Sequence, residues 1–391
     1  MALVTERIEN QILYLELNGR IDSSNADQAE KQIKAIKEAH PDLNSVLDAE
    51  NLEYLSSAGL RVILRMRKDA ADLKIVNVNS EVYEILDMTG FTDMLTVEKA
   101  FRRLSLDGCE LIAKGANGAV YRYDAETIVK IYHNGASLEE IRLEKELCRK
   151  VFIKGINTAI PYDVVKVGDC YGSVAELLSA KSIAKLLRAN PESLEENVAI
   201  YTDLLKKIHA TPIMPGEMPS IKETGVDWAE FLQPYLPADQ WEKLVAMMKA
   251  IPEPAFMIHG DYHANNVMIQ DGEPLLIDMD TVAYGHPIFE FASIYLGFVG
   301  YCECNHAGTM DFYGLPYEIT VKIWETLMKL YFEDEAVRED VVRKAQVIGY
   351  ARMMRRTIRR NGLHTPDGQE LIALCKQRLS ELLPQVDQLY Y

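Results

Sequence analysis

The first hundred residues alternate between two kinds of hydrophobic spacing. Short apolar-rich segments at residues 12–17 (ILYLEL), 45–48 (SVLD) and 73–78 (LKIVNV) predict β-strands. Between them, apolar residues recur every three or four positions, which predicts helices. Two of these helices are predicted over residues 58–66 and 82–88. Strands and helices in alternation predict an α/β domain, in which helices pack against a sheet.

Local signals predict where these elements begin and end. Asn18-Gly19 is a frequent turn pair and predicts that the first strand ends before it. Ser23 and Ser24 predict the N-cap of the next helix, since serine side chains accept hydrogen bonds from free N–H groups there. An apolar stripe predicts the inward face of that helix: Ala26, Ala29, Ile33 and Ile36.

The pattern changes near residue 104. Strands are predicted over residues 109–112, 119–123, 128–132, 164–167 and 173–176, with a helix over residues 138–153. From residue 182 the pattern is mainly helical, interrupted by residues 257–280. We therefore predict three parts: a domain at residues 1–100, a strand-rich lobe at residues 105–178 and a helical lobe at residues 179–391.

Composition narrows the class of protein. The 391 residues are 48% hydrophobic and 26% charged, as in ordinary globular proteins. The N-terminus is not typical of a signal peptide, and no apolar segment reaches the roughly 20 residues that span a bilayer. We expect a cytoplasmic protein without a membrane contact, with its six cysteines reduced. A net charge of −17 argues against nucleic-acid binding.

Three polar or aromatic clusters have ordinary explanations. Cys302 and Cys304 lack the second pair of ligands that a metal site needs. Arginines at spacings of three and four share a helix face, and we expect a solvated face with acidic partners; a phosphate or an acidic partner is the alternative. These arginines are Arg352, Arg355, Arg356, Arg359 and Arg360. Aromatic residues at helical spacing indicate core rather than a pocket: Trp228, Phe231, Tyr235 and Trp241.

Ser56 and Ser57 lie where a predicted strand leads into a helix. Helix capping explains a serine there, and a phosphate added there would meet free N–H groups. Residues 55–62 (LSSAGLRV), with residues 17–22 (LNGRID) and 82–86 (VYEIL), resemble the STAS domains of the anti-sigma-factor antagonist family over about residues 3–98. The resemblance implies that Ser57 is a regulatory phosphoacceptor and that phosphate switches contact with a partner protein. Many family members carry Asp in place of Ser56.

The strongest chemical signal is residues 259–266 (HGDYHANN) followed by residues 277–280 (IDMD). Phosphoryl transfer needs a carboxylate that orients or deprotonates the acceptor hydroxyl, and oxygen ligands for magnesium. Asp261, Asn266 and Asp278 have the order and spacing for these tasks. A predicted hairpin, with its turn at Asp271-Gly272, separates Asn266 from Asp278.

Upstream residues fit a nucleotide site. Residues 114–121 (KGANGAVY) form a small-residue turn whose backbone N–H groups could cover ATP phosphates, through Gly115, Asn117 and Gly118. Lys130 lies on an apolar strand and needs a charged partner. Glu144 shares the inward face of the next helix, with Glu140 and Glu146 as alternatives. The backbone near Glu176 and Leu178 could meet an adenine edge.

Residues 105–385 resemble the aminoglycoside phosphotransferase and choline kinase branch of the kinase fold. The resemblance implies an α+β bilobal domain that uses ATP and Mg²⁺. It implies that Asp261 is the catalytic base, that Asn266 and Asp278 bind magnesium, and that Lys130, oriented by Glu144, binds the phosphates. His259 then supports the shape of the loop, and His263 supports the reacting groups without contacting the substrate. Asp280 is a second candidate near the metal. Glu290 stands where the family usually has Asp, and we expect it to brace the loop.

The sequence thus predicts an ATP-dependent phosphotransferase with a small-molecule or protein hydroxyl as its acceptor. The fused first domain regulates this enzyme or is itself phosphorylated on Ser57. The alternative hypothesis is a partner-switching regulator whose kinase fold only senses nucleotide.

Overall fold

The structure is a computed structural model, and it describes residues 2–70, 72–114, 118–132, 138–214 and 216–391. Gly115 and Asn117, two residues predicted to contact phosphates, lie outside the described residues. The chain divides into two compact units. The first comprises Met1–Ser105 with Val165–Asp169, and the second comprises Leu106–Val164 with Cys170–Tyr391.

The first unit is a five-stranded sheet with helices packed on it. The strands lie in the order β1-β2-β3-β4-β5, with β1 antiparallel to β2 and every other neighbour parallel. Its elements are β1 (Val4–Glu9), β2 (Ile12–Ile21), α1 (Ala26–Ala39), β3 (Asn44–Leu55), α2 (Ser57–Asp69), β4 (Lys74–Val78), α3 (Ser80–Met88), α4 (Phe91–Met94), β5 (Thr96–Lys99) and β6 (Arg102–Arg103). Val165 and Lys166 belong to this unit because they pair in parallel with β6.

The predicted end of the first long strand was wrong. Asn18-Gly19 is not a hairpin turn, since β2 continues through it to Ile21 with two shifts of register against β3. The tight turn lies earlier, at Asn10 and Gln11, both with positive φ, and it joins β2 to a strand that the pattern did not predict. Asn-Gly occurs both in bulges and in hairpin turns, because its glycine adopts the positive φ that both structures use.

The predicted caps of α1 were also wrong. Asn25 is the N-cap residue, and its side chain accepts a hydrogen bond from Asp22 N instead of from the helix. Ser24 donates to the Asp22 carboxylate in the preceding turn. The apolar face was predicted correctly, since Ala26, Ala29 and Ile33 are buried.

The second unit begins with strands and continues mainly as helices. The strands β11, β9, β8 and β7 pair with one another in that order, all antiparallel. Its first elements are β7 (Glu110–Lys114), β8 (Gly118–Arg122), β9 (Thr127–Tyr132), α5 (Leu138–Ile153), β11 (Cys170–Glu176), β12 (Lys181–Ser182), α6 (Ile183–Ala189), α7 (Leu194–His209), α8 (Ile221–Phe231) and α9 (Ala238–Ala250). Strand β10 (Asp163–Val167) begins in this unit, and its residues from Val165 onward belong to the first unit.

The remainder of the second unit holds two short sheets and five more helices within the described residues. These elements are β13 (Met257–Ile258), β14 (Val267–Gln270), β15 (Glu273–Leu276), β16 (Ala283–Tyr284), α10 (Ile288–Phe298), α11 (Ala307–Tyr313), α12 (Tyr317–Tyr331), α13 (Glu335–Arg359) and α14 (Pro366–Leu382). The predicted hairpin is confirmed: β14 pairs with β15, and Asp271 and Gly272 have the positive φ of its turn. Helix α10 is buried along most of its length, and most of its residues belong to the core of this unit.

Among the described residues, no helix combines the length and the apolar character that crossing a bilayer demands.

Candidate active site

The predicted catalytic loop, residues 259–266, joins β13 to β14. Its shape depends on Gly260, which has a φ of +82° and whose Cβ, if present, would lie 2.5 Å from the carbonyl oxygen of Thr281. A side chain at this position is excluded twice, by backbone conformation and by lack of space. Thr281 also donates from its hydroxyl to the carbonyl oxygen of His259, at 2.8 Å.

Glu290 holds the loop from beneath. It is fully buried on α10, and its carboxylate accepts hydrogen bonds from the backbone N–H groups of His259 (2.6 Å) and Gly260 (3.0 Å). A buried carboxylate is stable only where donors compensate for its lost hydration. The expectation that Glu290 braces the loop in place of the usual Asp is therefore confirmed.

Two residues that were not predicted to contact the loop also hold it. The carbonyl oxygen of Gly260 accepts from the Ser293 hydroxyl and from Arg352 Nη1, each at 3.0 Å. No local motif marks either residue, since they lie 33 and 92 positions away along the chain.

A pair of buried tyrosines attaches the loop to α7. Tyr201 donates to the carbonyl oxygen of Tyr262 at 2.8 Å, and Tyr262 donates to the carbonyl oxygen of Tyr201 at 2.7 Å. Both side chains are fully buried. Reciprocal bonds of this kind fix the loop against the helix in one register, because neither hydroxyl can move without losing its buried partner.

Asp261 emerges from this braced loop with 40% of its side chain exposed. His263 Nε2 lies 3.6 Å from its carboxylate, and His263 Nδ1 accepts from Asn265 N at 3.3 Å. Burial and the neighbouring His259 lower the pKa of His263, although the Asp261 charge opposes them. The ring is therefore neutral at neutral pH, with its proton on Nε2 facing Asp261.

The amide of Asn266 also faces the loop. Its Nδ2 atom donates to the carbonyl oxygen of Asp261 at 3.1 Å, which leaves the amide oxygen as the atom available to a ligand. The ring of His259 supports the loop. Its Nδ1 atom accepts from Asp261 N, and its Nε2 atom lies 3.3 Å from the carbonyl oxygen of Ile277. The histidine therefore connects the loop to the segment that carries Asp278.

Lys130 joins three distant segments. From β9, its Nζ atom donates to Glu144 Oε1 on α5 (2.8 Å) and to Asp278 Oδ1 after β15 (2.9 Å). Burial opposes the charge on the lysine, but the two carboxylates outweigh it and raise its pKa. Burial likewise opposes ionisation of Asp278, and the charge of Lys130 outweighs it and lowers the pKa of that carboxyl.

Glu144 is the carboxylate that meets Lys130 in the structure. It is buried, whereas Glu146 is exposed and forms an ion pair with Lys150. Its second oxygen accepts from the Tyr132 hydroxyl at 2.8 Å, and Tyr132 in turn lies 3.0 Å from the Ser173 hydroxyl. We did not predict Tyr132 or Ser173, although Tyr132 lies two residues after Lys130 and therefore on the same face of the strand.

Asp278 has a φ of +65°, an uncommon conformation for a residue with a side chain. Strained backbone of this kind is concentrated at functional sites. Asp280, the second candidate near a metal, is exposed. The described residues contain no group of three or more His, Cys, Asp or Glu side chains arranged to hold a metal ion, Cys302 and Cys304 included.

The remaining residues predicted to contact the nucleotide lie on or next to the strands of the second unit. Gly118 begins β8 and pairs with Tyr132, next to the strand segment that carries Lys130. Glu176 ends β11 as an exposed residue, and Leu178 is partly buried in the connection that follows.

The two serines of the first unit differ in the structure. Ser56 is the N-cap of α2, and its hydroxyl accepts a hydrogen bond from Ala58 N at 3.2 Å. Ser57 is the first residue of the helix and is exposed. Capping thus occupies one hydroxyl and leaves the other facing solvent.

Comparison with known families decides the class of protein. The model of the phosphotransferase enzyme family, APH, matches residues 108–310, which is more than half of the chain. The chain belongs to this family. A STAS domain model matches residues 3–106, so this member of the phosphotransferase family carries a fused STAS domain. The α/β and α+β classes predicted for the two parts are confirmed.

Relatives of the STAS domain are anti-sigma factor antagonists by their descriptions. BtrV of Bordetella bronchiseptica is 31% identical over 101 residues, which are 25% of this chain and 85% of that protein. The anti-sigma F factor antagonist of Paenibacillus polymyxa is 27% identical over 90 residues, which are 22% of this chain and 77% of that protein.

Solved structures of aminoglycoside phosphotransferases resemble the chain at low identity. The gentamicin complex of APH(2″)-IIa has 14% identity and a TM-score of 0.47, and it covers 81% of this chain and 99% of its own. The ADP-bound APH(2″)-Ib has 15% identity and a TM-score of 0.46, with coverages of 80% and 99%.

Proposed function

We propose that this protein is an ATP-dependent, Mg²⁺-requiring phosphotransferase that acts on a hydroxyl group of a small molecule or a protein. The observation that carries the proposal is the contact of Lys130 with both Glu144 and Asp278. Three segments far apart in sequence bring a cation and two carboxylates together next to a braced loop that presents Asp261. Phosphoryl transfer needs this combination, because it depends on positioning and on charge stabilisation.

The donor set fits magnesium. The Asn266 amide oxygen and the Asp278 carboxylate are hard oxygen ligands, which Mg²⁺ prefers. Two protein ligands suffice where substrate phosphates supply the others, so the absence of a larger cluster among the described residues is compatible with this ion. When bound, the ion would neutralise charge on the phosphates.

The residues then have separate tasks. Lys130 would hold phosphate oxygens, with Glu144 and Tyr132 fixing its position. Asp261 would accept the proton of the acceptor hydroxyl. The neutral His263, whose Nε2 atom lies 3.6 Å from the Asp261 carboxylate, would limit the positions that this carboxylate can take. Glu290 would keep the loop in shape without touching a substrate.

The test is ADP formation by purified full-length protein with Mg²⁺ and ATP. Asp261→Asn is expected to reduce turnover by about 10²–10⁴-fold, the usual contribution of a general base. Asp271→Asn is the matched control, because Asp271 is exposed in the β14–β15 turn and Asn tolerates its φ of +51°. Equal turnover in Asp261→Asn and wild type would refute the role of Asp261. Nucleotide binding without turnover in the wild type would point to a separate acceptor or to a nucleotide-sensing regulator.

We propose Ser57 as the regulatory phosphoacceptor of the STAS domain, with the fused kinase domain as the enzyme that phosphorylates it. The exposed hydroxyl of Ser57, beside a Ser56 hydroxyl engaged in capping, supports this choice. Phosphate at the first turn of α2 would change the charge of a surface through which the domain would contact a protein partner.

Intact-mass analysis and peptide mapping after incubation with Mg²⁺ and ATP test this assignment. We expect one phosphate on Ser57 in the wild type and in Ser56→Ala, and none in Ser57→Ala or Asp261→Asn. Phosphate incorporation in Ser57→Ala at the wild-type rate would refute the assignment of Ser57 as the phosphoacceptor.

A further inference from the structure

Helix α13 carries basic residues in both halves, and the two halves differ in their partners. In the first half, Arg338, Arg343 and Lys344 form ion pairs with Glu335 or Asp340. In the second half, four arginines fall within about 100° of the helix circumference, since a residue advances the helix by about 100°. This arginine face consists of Arg352, Arg355, Arg356 and Arg359.

None of the four guanidinium groups of the arginine face has a carboxylate within 4.0 Å in the described part of the chain. The expected acidic partners are therefore missing from these four residues, whereas Arg356 and Arg359 are exposed to solvent as expected. The result is unexpected for a protein with a net charge of −17. The C-terminal dipole of a helix favours cations in the last turn, which accounts for Arg356 and Arg359 but not for the other two.

Aromatic rings hold these side chains instead. Arg352 lies 5.1 Å from the ring centre of Trp228, and Arg355 lies 5.7 Å from that of Phe231. Arg356 lies 5.5 Å from the ring of Tyr301 and donates to its hydroxyl at 3.3 Å. A ring face orients a guanidinium without neutralising it, so the positive charge remains available. The aromatic residues predicted as core thus also support a charged surface.

Among the four arginines, Arg355 has a buried donor that is unsatisfied within the described residues. Its Nε atom is buried and has no hydrogen-bond partner among the described residues. Burial and the neighbouring Arg359 lower the pKa of Arg355, and Asp227 only partly opposes them. An unpaired buried donor is costly. Arg355 as a whole is only partly buried, so its terminal N–H groups are the donors that an anionic ligand would meet.

The arginine face is continuous with the catalytic loop. Arg352 Nη1 donates to the carbonyl oxygen of Gly260, the residue that precedes Asp261. One guanidinium therefore contacts the backbone next to the proposed base, and the others follow it along the helix at intervals of three and four residues. The arginine face therefore begins one residue along the loop from Asp261.

We propose that the arginine face binds an anionic group, phosphate or carboxylate, of the acceptor substrate. This inference rests on the proposed phosphotransferase, because it assigns a substrate class to that site. Guanidinium groups bind carboxylate and phosphate through paired N–H donors, which gives both affinity and orientation. The same four charges disfavour a cationic small-molecule acceptor, so the small-molecule substrate is an anionic hydroxyl compound, and Ser57 is a separate, regulatory acceptor.

The test is a titration of full-length protein whose nucleotide site is saturated with Mg²⁺ and a non-hydrolysable ATP analogue. Glycerol 3-phosphate is the phosphate probe, malate is the carboxylate probe, and glycerol is the uncharged control. Tryptophan fluorescence reports binding, because Arg352 lies over the ring of Trp228. We expect saturable changes with one or both anions and none with glycerol.

Variants locate the binding. Arg355→Gln and Arg359→Gln are expected to raise the Kd of the anion at least ten-fold. Arg343→Gln is the matched control, since Arg343 lies on the opposite side of the same helix, and its Kd should stay within two-fold of the wild type. Arg359 is exposed, so its variant remains informative if Arg355→Gln folds poorly.

The outcomes separate this inference from the proposed function. No saturable change with either anion, equal affinity for glycerol, or unchanged affinity in both arginine variants overturns the inference. Asp261→Asn should bind the anion as wild type does while losing ATP turnover. Charge-dependent binding in a wild-type protein that turns over no ATP with any of the three hydroxyl probes present would count against the phosphotransferase and leave the anion site standing.

Discussion

Gly260 and Gly272 have nearly the same backbone conformation, with φ of +82° and +83°, in different surroundings. A Cβ at residue 260 would meet the Thr281 carbonyl oxygen at 2.5 Å, whereas one at residue 272 would meet nothing within 4 Å. We expect Gly272→Ala to cost about 1–2 kcal/mol of stability from conformation alone. Gly260→Ala should cost more and abolish ATP turnover, because the loop must shift. Urea unfolding measures the stability of the two variants, and an ATP turnover assay measures their activity. Equal losses in Gly260→Ala and Gly272→Ala would contradict the steric argument.

Glu144 and Glu146 allow a second matched comparison. Glu144 is buried and accepts from Lys130 and Tyr132, whereas Glu146 is exposed. Glu144→Gln removes a charge-assisted bond of about 1.5–3 kcal/mol. We therefore expect kcat/KM for ATP to fall by about 10–150-fold, and Glu146→Gln to match the wild type. Steady-state kinetics decide, and an unaffected Glu144→Gln enzyme would remove this residue from the site.

The sequence indicated the site residues whose chemistry is local. Lys130 is conspicuous as a charge on an apolar strand, and Asp278 follows a readable hairpin. Ser293 and Arg352 were not predicted, because their contacts with Gly260 arise only when distant helices pack on the loop. Local motifs therefore predicted the reacting groups, and tertiary packing supplied their supports.

The two serines at the start of helix α2 are expected to differ in what they contribute to its stability. Ser56 Oγ accepts from Ala58 N, whereas Ser57 follows it inside the helix. Ser56→Ala is expected to destabilise the STAS domain by about 1 kcal/mol, the usual value of an N-cap. Ser57→Ala should change stability by less than about 0.5 kcal/mol, as exposed substitutions do. Chemical denaturation measures both; a larger loss for Ser57→Ala would reverse the assignment of the two hydroxyls.

Turn residues explain which element boundaries could be predicted. Asp271-Gly272 predicted a real hairpin because apolar strands of matching length flank it. Asn18-Gly19 did not, because β2 has a parallel partner, β3, that absorbs the irregularity as a bulge. Single-sequence patterns do not reveal the partner strand, so they cannot distinguish a bulge from a turn.

At the scale of the whole molecule, each unit has its own hydrophobic core. The first core lies within residues 4–95, and the second lies within residues 147–389. Separate cores are expected to give separable unfolding transitions. A titratable group buried in one core should therefore shift one transition with pH and leave the other as an internal reference.

His286 is such a group. It is 6% exposed at the start of α10, where its Nδ1 atom accepts from Ile288 N, and its ring packs against Tyr391. Burial lowers its pKa to about 4; the backbone hydrogen bond with Tyr391 opposes this shift, and His209 and Lys344 add smaller lowering contributions. As pH falls, the unfolded chain takes up this proton first, near pH 6.5. Stability from the neutral ring is therefore complete above pH 6.5 and is lost as pH falls towards 4.

A shift of this size corresponds to about 3 kcal/mol between neutral pH and pH 4. Differential scanning calorimetry at pH 7, 5.5 and 4.5 should show the transition of the second unit falling by several degrees because of His286. His286→Asn keeps an acceptor for Ile288 N but cannot titrate, so its second transition should fall less. Because the variant shares every other titratable group with the wild type, the difference between the two isolates His286. Parallel pH profiles in wild type and variant would show that the ring is not held neutral by burial.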